Sequence, residues 1–167
     1  NAVVKAQNVE KLKRDLRVCY HAVDRILEGS DLCGYLTQAA DVILCLDISV
    51  LQEYLDAFVE AVNSKFGCLM VMGKIAVASE RWWELSSTEL VLLSLVIHSQ
   101  LECSSRDIPV FLPQGSPKVA HRLVTFQILE GVEVCVICGP SPSLQEIEQK
   151  LLFNYWNPAM DTVKQCL

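Results

Sequence analysis

Charged and reactive groups are scarce in this chain of 167 residues, and each scarcity excludes something. Charged residues make up only 20% and hydrophobic ones 51%, a balance that disordered chains do not have. Fourteen Lys and Arg against 20 Asp and Glu leave a net charge of −6. The concentrated positive charge that nucleic-acid phosphates require is therefore missing. No apolar run approaches the ~20 residues of a membrane span; Leu90–Leu93 with Leu95–Ile97, and Val134–Cys138, are the longest. The chain starts at Asn1 without a secretory pattern, which reads as a fragment of a longer protein in a reducing cytosolic compartment.

Catalytic constellations are equally hard to find. Of three histidines, His21 stands three residues from Asp24, as a surface ion pair would, and His98 lies in an apolar helix, as a satisfied core histidine would. His121 has no Cys or acid close by in sequence, so no Ser-His-Asp or Cys-His order gains local support. Gly67 to Gly73-Lys74 is one residue too long for a phosphate loop, and Ile75 replaces its Ser or Thr. The eight cysteines (Cys19, Cys33, Cys45, Cys68, Cys103, Cys135, Cys138 and Cys166) are scattered among aliphatic residues and read as small hydrophobes. Cys135-Val-Ile-Cys138 matches CxxC, but thiols three apart on a strand point to opposite faces. The site expectation is accordingly no catalytic residue, no metal and no cofactor.

What is present is periodicity. Val9, Leu12, Leu16, Cys19, Val23 and Ile26 predict a long amphipathic helix over Val3–Glu28, with Gly29 as its C-cap. Lys11, Lys13, Arg14 and Arg17 read as its solvated face. Asp31–Ala40 reads as a short second helix, and Val42–Leu46 as an extended or merely buried run. Ser49 is a suitable cap for a helix to Asn63, with Leu51, Tyr54, Leu55, Phe58, Val59 and Val62 on one face. Phe66–Met72 and Lys74–Ser79 predict a hairpin turning at Gly73. Ser86 and Glu89 form a capping box ahead of Leu90–Leu101, a helix apolar on most sides and expected to be buried.

Pro109 and Pro113 confine Val110–Leu112 to an edge strand, because proline cannot donate to a central ladder. Gln114–Lys118 reads as a turn or a contact loop. Leu123–Leu129 shows Val124, Phe126 and Ile128 on one face, and Val132–Cys138 is apolar enough for a strand covered on both sides. Ser143 and Glu146 repeat the capping box before a stripe of Leu144, Ile147, Leu151, Leu152 and Tyr155. Pro158 kinks or ends that helix, with a further turn or two after it. The fold class is α+β: a five-stranded antiparallel sheet in the order β-β-α-β-β-β-α, helices mainly on one face, and a long N-terminal helix ahead. Trp82-Trp83 reads as one ring in the core and one on the surface, the alternative being an aromatic anchor for a partner. Trp82, Trp83, Val110, Phe111 and Leu112 are the candidate contact residues.

Four runs also carry a resemblance: Val9-Glu10-Lys11-Leu12-Lys13-Arg14-Asp15-Leu16-Arg17, Glu80-Arg81-Trp82-Trp83, Pro109 through Pro117, and Cys138-Gly139-Pro140-Ser141-Pro142. In order and over nearly the whole chain they resemble the middle part of the Fuzzy family of planar cell polarity effectors. That resemblance implies a second longin-like domain over residues 47–167, preceded over 1–46 by a helical connection from another longin unit. It further implies a non-catalytic scaffold, joined to Inturned and a WD-repeat polarity effector at the ciliary basal body and cytoskeleton. There it would support cilium biogenesis, ciliary trafficking and polarity signalling. A membrane would be met only peripherally, through the complex. Direct regulation of a Rab-type small GTPase, as an exchange-factor subunit, is the alternative. An enzyme, whether thiol oxidoreductase or hydrolase, is the remaining and weakest reading.

Overall fold

The computed structural model describes residues 2–17, 19–20, 23–24, 27, 40–98 and 103–167. Its hairpins arise where the sequence supplies turn geometry. Between β1 (Phe66–Val71) and β2 (Lys74–Ala78), Met72 and Gly73 hold positive φ of 48° and 77°, the mirror-image turn that matches strand twist. Gly73 is required twice over, since a Cβ there would also meet the His98 ring at 2.5 Å. Beyond β2, the short α3 (Glu80–Trp83) and then α4 (Ser87–His98) lead to β3 (Ser105–Leu112), β4 (Ser116–Leu129) and β5 (Val132–Cys138). All pairings are antiparallel, in the order β2-β1-β5-β4-β3. The β-β-α-β-β-β-α order and the edge position of Val110–Leu112 are as the sequence predicts.

The helices cover both faces of the sheet, not mainly one. The reason lies in β5, whose alternate side chains are apolar on both sides. Val132, Val134, Val136 and Cys138 join one core layer with Leu51, Leu55, Phe58, Val59 and Val62 of or just after α2 (Ile48–Ala61). Cys135 and Ile137 join the other, with Trp82, Leu90, Leu93 and Ile97 of α3 and α4. In β1, an added Cβ at Gly67 would collide with the Val59 side chain, so glycine lets α2 pack directly against the strand.

The first layer is completed at the C-terminus. Ser143 accepts from the Glu146 amide, and Glu146 reaches back to the Ser143 amide, capping α5 (Leu144–Glu146). The helix continues as a π-helical stretch, Ile147–Leu152, and α6 (Phe153–Trp156). It breaks at Asn157-Pro158 and resumes as α7 (Met160–Lys164). Ile147, Trp156, Ala159 and Val163 enter the core, and Phe58 meets Tyr155 and Trp156 edge-on at 6.2 and 6.0 Å.

Several boundaries differ from expectation. α1 (Ala2–Leu16) ends before a turn at Arg17, with helical residues recurring at positions 19–20, 23–24 and 27. Its Val9, Leu12 and Leu16 are exposed. α2 begins one residue before Ser49, with Asp47 in the capping position, because the Leu51 amide already bonds the Asp47 carbonyl. α4 is only half sunk: Leu92 is exposed, and one face alone reaches the core. Gln114–Lys118 is mostly strand, the turn itself being residues 113–115. Residues 31–39, His21 and Cys33 lie outside the described residues. Among the described residues, no helix is long and apolar enough to cross a membrane.

Candidate interaction surface

The sheet ends differently at its two margins. At the β2 margin, the extended residues 41–43 lie alongside: Val42 bridges Ile75 in parallel, the Ile43 amide donates to the Ile75 carbonyl and the Ile75 amide to that of Asp41. At the β3 margin, β3 pairs with β4 only, and its outer edge meets no strand among the described residues. Pro109 stands opposite Arg122 in the middle of that edge. Strand alternation sends Ile108, Val110 and Leu112 toward the α4 side, while Asp107, Pro109 and Phe111 face the other way and are exposed. Phe111, opposite Ala120 in the ladder, is 58% exposed, and Val119, next to Ala120 on β4, is 55% exposed.

The five candidate contact residues therefore separate. Trp82, Val110 and Leu112 come together, but inside one core cluster, so their side chains are not available to a partner. Trp83 (45% exposed) and Phe111 present theirs to solvent, on separate elements. The division of the tryptophans follows from a helical turn: Trp82 points inward and its successor, about 100° round the helix, points away.

Charged side chains anchor this margin. Arg106, nearly buried, donates to the Thr125 hydroxyl at 2.8 Å, the Ile97 carbonyl at 2.9 Å and the Glu133 carboxylate at 2.6 Å. Arg122 forks onto Asp107 and sends its remaining Nη1 to the carbonyls of Gly139, Pro140 and Pro142 at 3.3, 3.2 and 2.7 Å. Hydrogen bonding to Asp107 raises the Arg122 pKa against its own partial burial. Glu89 caps α4 through Ser86 and also accepts from the Gln114 and Gly115 amides at 2.9 and 2.8 Å. Burial by itself would raise the Glu89 pKa; the Gly115 and Gln114 amides and Ser86 overcome it and hold the carboxyl down at about 2.

The suspected reactive groups are packing. Cys135 and Cys138 lie in opposite core layers, and burial pushes the Cys138 thiol up to about 11. Cys135 instead faces Cys68 across the ladder, both fully buried, and burial followed by the Cys135 hydrogen bond raises the Cys68 thiol. His98 engages both ring nitrogens, Nδ1 with the Ser94 carbonyl and Nε2 with that of Gly73. Among the described residues no group of His, Cys, Asp and Glu could hold a metal ion.

Sequence reasoning missed Arg106, Arg122 and the second role of Glu89. One signal pointed to Arg122: Gly139-Pro140-Ser141-Pro142 is poor in amide donors, so its carbonyls must find a donor elsewhere. Nothing local marks Arg106 or the Glu89–Gly115 contact, whose partners lie far away in sequence.

Residues 62–152 match the family described as the second longin domain of FUZ, MON1 and HPS1. The chain is 52% identical over 165 residues to the protein fuzzy homolog of Xenopus tropicalis, covering 99% of this chain and 40% of that protein. Against the protein fuzzy homolog of Homo sapiens it is 44% identical over 161 residues, covering 96% of this chain and 38% of that protein. The chain thus spans about two fifths of the length of these relatives.

Proposed function

The chain belongs to the family of second longin domains of FUZ, MON1 and HPS1, and on that premise we propose that it is a non-catalytic protein-interaction domain of a planar cell polarity scaffold. Its role is to hold a multiprotein complex together, with Inturned and a WD-repeat polarity effector as partners. The complex works in the cytoplasm at the basal body and cytoskeleton, where it supports cilium biogenesis, ciliary trafficking and polarity signalling. Residues 47–167 form the longin unit, and residues 1–46 form the connection from a preceding one. The exposed Val9, Leu12 and Leu16 on α1 support that division, because such a stripe calls for a cover.

The observation that carries the reading is the β3 margin, an open strand edge beside the exposed Phe111 and Val119. Pull-down and crosslinking of the 167-residue chain against the remaining segments of a fuzzy protein and against Inturned test it. Crosslinks from Lys118 at this margin are expected. No capture, or crosslinks confined to other surfaces, would overturn it. Nucleotide release from a Rab-type GTPase should not accelerate on adding the chain; acceleration would favour the exchange-factor alternative.

A further inference from the structure

The far end of the β3–β4 hairpin leaves one short run of strand without neighbours. β5 accompanies β4 only as far as the Arg122–Cys138 pair. On the β3 side the ladder jumps from Phe111 opposite Ala120 to Leu112 opposite Ser116, so Pro117, Lys118 and Val119 bulge out with no partner residue. All three are exposed, and half-buried Ser116 stands directly before them. A hydroxyl is thus followed by a proline and two further accessible residues, unpaired on both edges among the described residues. Protein kinases take their substrates as extended segments with a free backbone, and proline-directed kinases require proline immediately after the acceptor. The other Ser-Pro pair, Ser141-Pro142, is not free in this way. Arg122 holds the carbonyls of Gly139, Pro140 and Pro142 at 3.3, 3.2 and 2.7 Å, and Glu146 holds the Ser143 amide at 2.9 Å. On its other side, Ser116 adjoins the turn that Glu89 ties to α4. The Gln114 and Gly115 amides donate to Glu89 Oε1 at 2.9 and 2.8 Å, and a Cβ at Gly115 would stand 3.6 Å from that oxygen.

We propose that Ser116 is a phosphorylation site for a proline-directed kinase, and that its phosphate releases the β3–β4 turn from α4. The Ser116 Oγ attacks the γ-phosphorus of ATP, the bond from that phosphorus to the β–γ bridging oxygen breaks, and ADP leaves. The hydroxyl proton passes to the base of the kinase. The product carries a charge of about −1.5 to −2 at neutral pH and three strong acceptor oxygens. One residue from Gly115, that charge repels the Glu89 carboxylate and competes with it for the Gln114 and Gly115 amides. The Ser86 cap of α4 stays with Glu89, while the turn loses its tie to the helix.

The test incubates the 167-residue chain with magnesium and ATP and, in separate reactions, a mitogen-activated and a cyclin-dependent kinase, then maps the phosphate by mass spectrometry. Phosphate should appear on Ser116 ahead of Ser141, and Ser116→Ala should remove most of the incorporation. An unfolded chain presents both Ser-Pro pairs alike, so the order of appearance reports on the folded hairpin. In the phosphorylated chain, hydrogen exchange should quicken at the Gln114 and Gly115 amides while β5 amides keep their protection. The thermal midpoint should fall by roughly 4 °C. In Glu89→Gln the same phosphate should lower the midpoint by clearly less, because the carboxylate it repels is gone. No phosphate on Ser116 with either kinase would overturn the proposal, as would Ser141 modified first or at an equal rate. Unchanged exchange at Gln114 and Gly115, or an equal midpoint shift in Glu89→Gln, would overturn the release of the turn.

Discussion

The two margins of the sheet solve the same problem in opposite ways. At β2, the strap of residues 41–43 satisfies part of the outer edge and tucks Ile43 and Cys45 into the core, so that margin is closed from within the chain. At β3, nothing described covers the edge; instead Pro109 interrupts it, Asp107 and Arg122 charge its face, and Phe111 stands exposed beside them. Natural sheets use proline and charge to discourage indiscriminate strand pairing. The difference teaches that the two edges are protected by different means, one by the chain's own backbone and the other by proline and charge.

If the open margin has no strand outside it, it must be held from inside, and the Arg106–Glu133 pair is that hold. Replacing Glu133 by Ala leaves a nearly buried guanidinium with its carboxylate gone. We expect the largest loss in this set, about 3 kcal/mol in chemical denaturation. A loss below about 1 kcal/mol would mean that Thr125 and the Ile97 carbonyl suffice to hold Arg106.

Glu89 ties the β3–β4 turn to the start of α4. Glu89→Gln should cost about 2 kcal/mol, because a charged acceptor of two turn amides becomes a neutral one. The pH dependence has a definite sign. The folded-state pKa of about 2 lies below the ordinary carboxylate value of 4.5, so the unfolded chain takes up the proton first. This contribution is fully present above about pH 4.5 and is lost as pH falls toward 2. Denaturation midpoints measured across that window should fall less steeply in Glu89→Gln; an unchanged acid slope would place the acid sensitivity elsewhere.

The closed margin is held in part by two backbone hydrogen bonds of the strap and by the inward side chains of Ile43 and Cys45. Ile43→Pro deletes one of those donors, for an expected cost of about 1–2 kcal/mol. Its clearest readout is hydrogen exchange, with the Ile75 amide losing protection while β5 amides keep theirs. Retained protection at Ile75 would show that the strap is not what seals β2.

Both margins were only half legible in the sequence. Pro109 and Pro113 marked β3 as an edge because proline's missing N–H is a local fact, and the β5 position followed from a run that is apolar except for Glu133. The burial of Val110 and Leu112 followed only once α4 was known to cover the inner face, and a helix that apolar gives little sign of which side faces the sheet. The strap was invisible for a different reason. Val42–Leu46 is too short for periodicity to choose between extended and helical, and its partner Ile75 lies more than thirty residues on. Separation in sequence likewise hid Arg106 from Glu133.

The smallest stability effect should come from Phe111, the exposed residue of the proposed contact margin. Phe111 is largely exposed on the open margin, so Phe111→Ser should change folding stability by no more than about 0.5 kcal/mol. Its neighbours Val110 and Leu112 supply the contrast: the same substitution at Leu112, buried in the α4 layer, should cost about 2 kcal/mol. If the β3 margin binds a partner, Phe111→Ser loses capture of fuzzy or Inturned segments at unchanged stability, because an exposed aromatic is a typical interface anchor. Trp83→Ser, on the separate helix α3, then keeps capture. Reversal of those two results would move the interface from the sheet margin to α3, and loss in both would join them into one surface.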